Sequence, residues 1–272
     1  MTPLAIAQPQ AALVFDQMAA DYDGVFTRSM IGRAQRNAVW TVLNKTFQSG
    51  DHILELNCGT GEDALFLARN SISVTACDAS EQMIQVASSR LRTEAPDASV
   101  QFNFLPIERL HELQSATMFD GAFSNFSGLN CVADLKQTAA DLATLLPPGA
   151  PLLICLSTRF CIWEMFWFLL HGKFRKAFRR CSGHATAKVG GFSVDVYYPT
   201  VRGLHQLFSP SFVMRSCMGV GVAVPPSYVE TWIRSHPKLL SLLRAIDRII
   251  STLPGFRVLG DHMLLHFERV QA

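Results

Sequence analysis

The feature that most constrains this chain is a regular alternation of short apolar runs and amphipathic stretches between residues 52 and 156. Residues 52–56 read as a buried strand entering a glycine turn, 62–69 as a helix and 73–77 as a second strand. Ser80 stands where an N-cap belongs, ahead of a helix running to about residue 92. Residues 100–105 and 119–124 give third and fourth strands, 134–145 a helix, Pro147-Pro148-Gly149 a turn and 152–156 a fifth strand. Upstream, 11–22 and about 32–47 read as helices, the first from Leu13, Val14, Met18 and Tyr22 at helical spacing. Strands that alternate with helices form a parallel sheet covered on both faces. Ligands of such sheets sit at the carboxyl ends of the strands.

The first strand runs into Leu54-Glu55-Leu56-Asn57-Cys58-Gly59-Thr60-Gly61-Glu62-Asp63. Glycines there permit positive φ and close approach of a ligand to backbone, and the helix that follows offers free N–H groups. Glu55 ends the first strand, and Asp78 ends the second, 17 positions after Gly61. A carboxylate at that place can accept hydrogen bonds from both hydroxyls of a ribose. A nicotinamide-binding site would need G-x-G-x-x-G, and Asp63 and Ala64 follow Gly61 with no third glycine.

These residues resemble the motifs of the class I S-adenosylmethionine (SAM)-dependent methyltransferases. The glycine turn is similar to that family's L-E-L-G-C-G-T-G, with Asn57 in place of the first glycine. Asp78-Ala79-Ser80 with Met83 resembles the second motif, and residues 119–126 resemble the fourth-strand motif. Phe15, Asp16, Ala19, Tyr22 and Asp23 are similar to the F-D-x-x-A-x-x-Y-D entry helix of the quinone-biosynthesis-type, small-molecule branch. The resemblance covers roughly residues 12–158. It implies an α/β, Rossmann-like doubly wound, mostly parallel seven-stranded sheet with helices on both faces, the last strand antiparallel. It also implies SAM as cofactor and no metal. Glu55, Asn57, Cys58, Gly59 and Gly61 would then shape the pocket for the methionine portion, and Asp78 would bind the ribose. Ala79 and Met83 would pack near the adenine. The third motif usually supplies an Asp to the adenine amino group; residues 104–108 hold none, so backbone at Pro106 or Ile107 would substitute. Asn125 and Phe126 would lie where donor and acceptor meet, and Tyr22 would close over the cofactor.

Methyl transfer needs in-line positioning and exclusion of water, and a base only if the acceptor must lose a proton. His171, His184, His205, Tyr197 and Tyr198 have suitable chemistry. None has a partner visible in the sequence, and no catalytic residue is assigned. The function expected is transfer of a methyl group to a small, lipophilic acceptor by direct displacement. The alternative is a SAM-fold binding or regulatory protein without turnover.

Beyond residue 158 the character changes. Residues 160–192 show no strand signal and are first aromatic, then basic. Trp163, Phe166, Trp167 and Leu170 recur at helical spacing, ahead of Lys173, Arg175, Lys176, Arg179 and Arg180. The segment is expected to be a helical lid inserted after the fifth strand, its aromatic half walling the acceptor pocket. Its cations would face solvent or the surface of an anionic membrane. Residues 194–198 and 212–219 suggest strands, 199–208 a turn and helix, and 263–267 the last strand. Leu239, Leu242, Leu243, Ile246, Ile249 and Ile250 share one face of an amphipathic helix at about 238–250. The expected organisation is therefore N-terminal helices over the cofactor (1–50), a SAM-binding core (51–158), a lid (159–198), and the end of the sheet (199–272) with a helical insertion at about 227–258.

Composition limits the alternatives. Of 272 residues, 49% are apolar and only 17% charged, which excludes a disordered chain. Residues 1–158 carry nine Lys/Arg against 16 Asp/Glu, and 159–272 carry 15 against six. A formal net charge of +2 and the apolar character of residues 160–170 argue against a nucleic-acid partner. Seven cysteines, without a C-x-x-C pair, form neither a disulfide framework nor a zinc site and suit a reducing cytoplasm. The first ten residues have no basic residue ahead of an apolar run, so no signal peptide is expected. The apolar run at 163–170 is far short of the ~20 residues that span a bilayer. A cytoplasmic enzyme, at most peripheral to the inner face of a membrane, is the expectation.

Overall fold

The computed structural model describes residues 9–113, 117–189 and 191–271, so the expectation for residues 1–8 lies outside the described residues. Helices α1 (Gln10–Tyr22) and α2 (Met30–Thr46) precede β1 (His52–Leu56), α3 (Glu62–Ala68), β2 (Ser73–Asp78), α4 (Glu81–Glu94) and β3 (Val100–Phe104). Then come β4 (Gly121–Ser124), α5 (Leu135–Leu145), β5 (Pro151–Ser157), α6 (Ile162–Leu170) and α7 (Phe174–Ala177). The chain continues through β6 (His184–Val189), β7 (Phe192–Tyr197), α8 (Val201–Phe208), β8 (Phe212–Val220), α9 (Glu230–Arg234), α10 (Pro237–Ile250) and β9 (His262–Arg269).

Seven strands form one sheet in the order β3-β2-β1-β4-β5-β9-β8. Strands β1 to β5 pair in parallel, and β9 runs antiparallel to both β5 and β8. This is the Rossmann-like sheet that the sequence implies, with its last strand reversed. The period of two along each strand builds two cores. Leu54, Leu56, Ala122, Leu152 and Ile154 face α5 and α8, together with Leu142 and Leu204. Ile53, Phe123, Leu153 and Cys155 face α2 and α3, together with Val39, Leu43, Ala64 and Leu67. Both faces being covered explains why the central strands are unbroken apolar runs.

Two expectations for residues 159–198 fail. Residues 184–197 hold an antiparallel hairpin, β6 with β7, where most of the stretch showed no strand signal. Val189 pairs with Phe192, and the sequence signal for such a pairing, Gly-Gly between β-prone runs, is present at 190–191. The hairpin, not the aromatic helix, neighbours the cofactor end of the sheet: β7 packs on α1, and the Asn130 side chain donates to the Tyr197 carbonyl at 2.6 Å. In α6 the one fully buried side chain is Glu164. Phe166 and Leu170 are 54% and 66% exposed, so they wall no pocket. Trp163 and Trp167 turn inward, but away from the cofactor end. The Trp163 indole donates to the Ala223 carbonyl, and Trp167 packs on a cluster that includes Ile31, Val224 and Leu240.

Candidate active site

A cavity opens at the carboxyl ends of β1 to β4, where ligands of such sheets sit. Its floor is the turn after β1. Asn57, with φ of +56°, begins the turn, and Gly59 follows at +53°. A Cβ on Gly59 meets no protein atom within 4 Å, so bare backbone faces the cavity there. Gly61, also left-handed at +75°, is different. A Cβ on it would stand 2.7 Å from Phe102 and 2.9 Å from Ala87. Its lack of a side chain lets α3 start close against β3 and α4, and it does not line the cavity.

Asp78, at the end of β2, presents its carboxylate to the cavity and is anchored from behind. The Gly59 N–H donates to Oδ2 and the Ser80 N–H to Oδ1, each at 2.8 Å. Burial pushes the Asp78 carboxyl up to about 6, although these two N–H bonds pull the other way. Ala79, Met83 and Ile107 form apolar wall beside it, and Cys58, Asn125 and Phe126 complete the set of expected residues along the cavity. Burial raises the Cys58 thiol far above its ordinary range, so it is inert packing. Tyr22 lines the cavity from α1, and burial pushes its phenol up to about 12. It is a hydrogen-bond donor and no base near neutral pH.

Two further expected residues fall outside the cavity. Glu55 is 1% exposed beneath the turn, its Oε2 has no partner, and burial raises its carboxyl well above the ordinary range. Pro106 is buried but does not line the cavity, whereas Glu108, two residues on, does. None of His171, His184, His205, Tyr197 and Tyr198 lines it.

The wall between α2 and the turn after β4 holds a buried network that the sequence did not reveal. Asp63 accepts from the Arg36 guanidinium, from Trp40 Nε1 at 2.6 Å and from Asn125 Nδ2 at 3.0 Å. Arg36 and Trp40 are one helical turn apart, which is the only local signal. The Arg36 guanidinium lies 4.9 Å from the centre of the Phe126 ring, and its Nε has no partner. Phe126 and Ser127 both take positive φ, +46° and +70°, unusual for residues with side chains. The turn is held by the Ser127 N–H donating to the Cys155 carbonyl and by Ser127 and Ser157 sharing a hydroxyl bond at 2.6 Å. Such strain concentrates at ligand sites. His262, first residue of β9, meets the outer face of Phe126 with ring centroids 5.4 Å apart.

The entry helix is tied down at its middle and at its C-terminal end. Asp16 accepts from the Ser80 hydroxyl at 2.6 Å and from the Gln82 N–H at 3.1 Å, at the start of α4. Asp23 accepts from the Thr60 hydroxyl at 2.7 Å and pairs with Arg90. The two carboxylates of the entry motif thus dock α1 against the cavity, where Ala12, Phe15 and Tyr22 close one side.

Residues 53–149 match the methyltransferase domain family. Demethylmenaquinone methyltransferase of Leptospira interrogans is 30% identical over 139 residues, 50% of this chain and 55% of that relative. The protein of the same name from Clavibacter sepedonicus is 31% identical over 146 residues, 54% of this chain and 57% of its own length. The chain spans little more than half the length of these curated relatives. Among solved structures, the cyclase SpnF matches with a TM-score of 0.65 at 16% identity, over 99% of this chain and 98% of its own. DhpI in complex with SAH matches at 0.60 and 13% identity, over 97% of both chains. An S-adenosylmethionine-dependent methyltransferase from Mesorhizobium loti matches at 0.56 and 17%, over 87% of this chain and 98% of its own.

The residues present fit SAM. Bare backbone at Gly59 leaves room for close approach, and the Asp78 carboxylate has lone pairs left for hydroxyl donors. Glu62, Asp63, Asp78 and Glu108 line the cavity against the single cation Arg36, a field that favours a sulfonium. The matched domain coincides with the stretch that builds most of this cavity, and over that stretch the chain is similar to the methyltransferase domain family.

Proposed function

We propose that the protein transfers a methyl group from SAM to a small, lipophilic acceptor that it meets at a membrane surface. The observation that carries the transfer reading is the pairing of Gly59 and Asp78: one hydrogen bond joins the bare floor of the cavity to the carboxylate at its rim. When bound, SAM supplies a methyl group made electrophilic by its sulfonium. Asp78 holds the ribose hydroxyls, Glu108 accepts from the adenine amino group, and Arg36 meets the methionine carboxylate while keeping its bond to Asp63. Phe126, fixed by the strained turn, sets the position at which an acceptor can stand in line with the methyl group. Phe15, Tyr22 and Phe126 exclude water from it. Tyr22 stays protonated and donates; no histidine at the cavity takes a proton, which suits an acceptor that is already ionised or readily deprotonated.

Support for the acceptor class comes from the apolar walls at Ala12, Phe15, Cys131 and Val132, and from the small-molecule methyltransferases among the relatives. Demethylmenaquinone, named for two of them, is the first acceptor to test. Calorimetry with SAM, followed by conversion of SAM to S-adenosylhomocysteine with and without acceptor, tests the reading. Tight SAM binding with no turnover on any lipophilic acceptor would leave a binding protein without transfer.

A further inference from the structure

The buried face of helix α6 carries a carboxylate and its solvent face is apolar. Glu164 is 1% exposed, and both its oxygens are taken. Arg179 donates to Oε1 at 2.7 Å and to Oε2 at 2.9 Å, and Arg180 donates to Oε2 at 2.6 Å. Arg180 also donates to Asp261 Oδ1 at 3.0 Å, which pins the turn that follows α7 to the start of β9. The opposite stripe is Ile162, Phe166, Leu169 and Leu170, at offsets of four, seven and eight residues, and all four are exposed. Trp163 and Trp167 also turn inward, so α6 is apolar on both sides; two arginines hold Glu164 inward, and the second apolar side is left uncovered.

The chain continues the same surface through α7. Phe174 and Phe178, one turn apart, are exposed, and between and beside them stand Lys173, Arg175 and Lys176, also exposed. Among the described residues no carboxylate pairs with these three cations. Two of the five basic residues of the segment are therefore committed to Glu164, and three remain for a partner. Packed on the cluster that also receives Trp167, α10 carries a second exposed apolar stripe, Leu242, Ile246 and Ile249. No helix among the described residues is long and apolar enough to cross a membrane.

We propose that the outward face of α6 and α7 docks on the surface of an anionic lipid bilayer. Aromatic and aliphatic side chains enter the headgroup boundary while Lys173, Arg175 and Lys176 meet lipid phosphates. Charge selects this occupant. A second copy of the chain, meeting the patch by a two-fold axis, would bring the same three cations against each other with no carboxylate between them. A neutral apolar partner would leave them without counter-charge. The docking itself does not depend on methyl transfer.

The test is co-sedimentation of the full chain with vesicles of phosphatidylcholine alone and of phosphatidylcholine with phosphatidylglycerol, at low and high salt, beside the Lys173→Glu/Arg175→Glu/Lys176→Glu and Phe166→Ser/Leu170→Ser variants. The expected result is binding to the anionic vesicles that high salt weakens and that either variant lowers by about tenfold or more, with SAM affinity by calorimetry unchanged. Negligible binding to both vesicle types overturns the proposal. So does binding that neither variant changes, or a dimer in analytical ultracentrifugation that the Phe166→Ser/Leu170→Ser variant dissociates. Loss of SAM binding in the wild-type chain would instead strike the proposed function and leave the docking result standing.

Discussion

The side chain of Asn57 occupies the space that Gly128 leaves empty. A Cβ on Gly128 would fall 2.3 Å from the Asn57 Cβ and 2.5 Å from its Cγ. The Ser124 hydroxyl donates to Asn57 Oδ1 at 3.3 Å and orients the amide. Asn57 stands where the family motif has glycine, in a left-handed conformation that asparagine tolerates better than most residues. The glycine missing from the turn after β1 is thus matched by one in the turn after β4. Gly128→Ala is expected to destabilise the chain by about 1–3 kcal/mol through overpacking. Asn57→Gly in the same chain should recover most of that loss, a coupling measurable by a double-mutant cycle in thermal or urea unfolding.

The raised carboxyl of Asp78 gives cofactor binding a pH dependence. Ribose hydroxyls need an ionised acceptor, and Asp78 takes up its proton as the pH falls through about 6. SAM affinity by calorimetry should be level above pH 7 and weaken below 6. The stability of the free protein moves the other way. Because the folded carboxyl titrates above the ordinary 3.8, its stabilising effect is full below that value and is lost as the pH rises through about 6. Asp78→Asn should flatten both profiles and cost SAM binding at least about tenfold.

Gly59 and Gly61 should fail for different reasons. Gly59→Val imposes a left-handed β-branched residue and fills the cavity floor, so SAM binding should disappear while the unfolding midpoint falls only modestly. Gly61→Val drives a side chain into Phe102 and Ala87, so the chief effect should be on stability. Equal effects on melting temperature would contradict this division.

Arg36 joins stability to binding. Arg36→Ala would leave Asp63 buried with only Trp40 and Asn125, an expected loss of about 3–5 kcal/mol in unfolding free energy. Arg36→Lys keeps a cation for Asp63 but removes the Nε donor and the planar face against Phe126. It should weaken SAM binding about tenfold, read by calorimetry, with a smaller change in stability.

Much of this fold could be read before any coordinates, because its information is local. Strands β1 to β5 and their helices are runs with turn residues at each end, and the ends expected for them agree with the structure within one or two residues. Gly59 and Asp78 could be placed at the cavity because a strand–turn–helix unit fixes where its turn points. The failures have a common cause. The partners of Asp63 are 23, 27 and 62 residues away in sequence, so nothing near it announces a network. Periodicity gave α6 two faces and could not say which turns inward. Arg179 and Arg180 decide that, from beyond the end of the helix, by binding Glu164. The hairpin at 184–197 was legible, since Gly190-Gly191 between β-prone residues is a turn signal; the basic and aromatic stretch before it masked the change of period.

The tethering of α1 sets an order of assembly. The anchors of this helix, Thr60, Ser80 and Arg90, emerge some 40 to 70 residues after the carboxylates they hold, and β7, which packs on it, emerges later still. During synthesis α1 must wait, detached, while the parallel core condenses behind it. The side of the cofactor cavity that α1 forms is therefore completed only after the glycine turn, the start of α4 and β7 have all emerged.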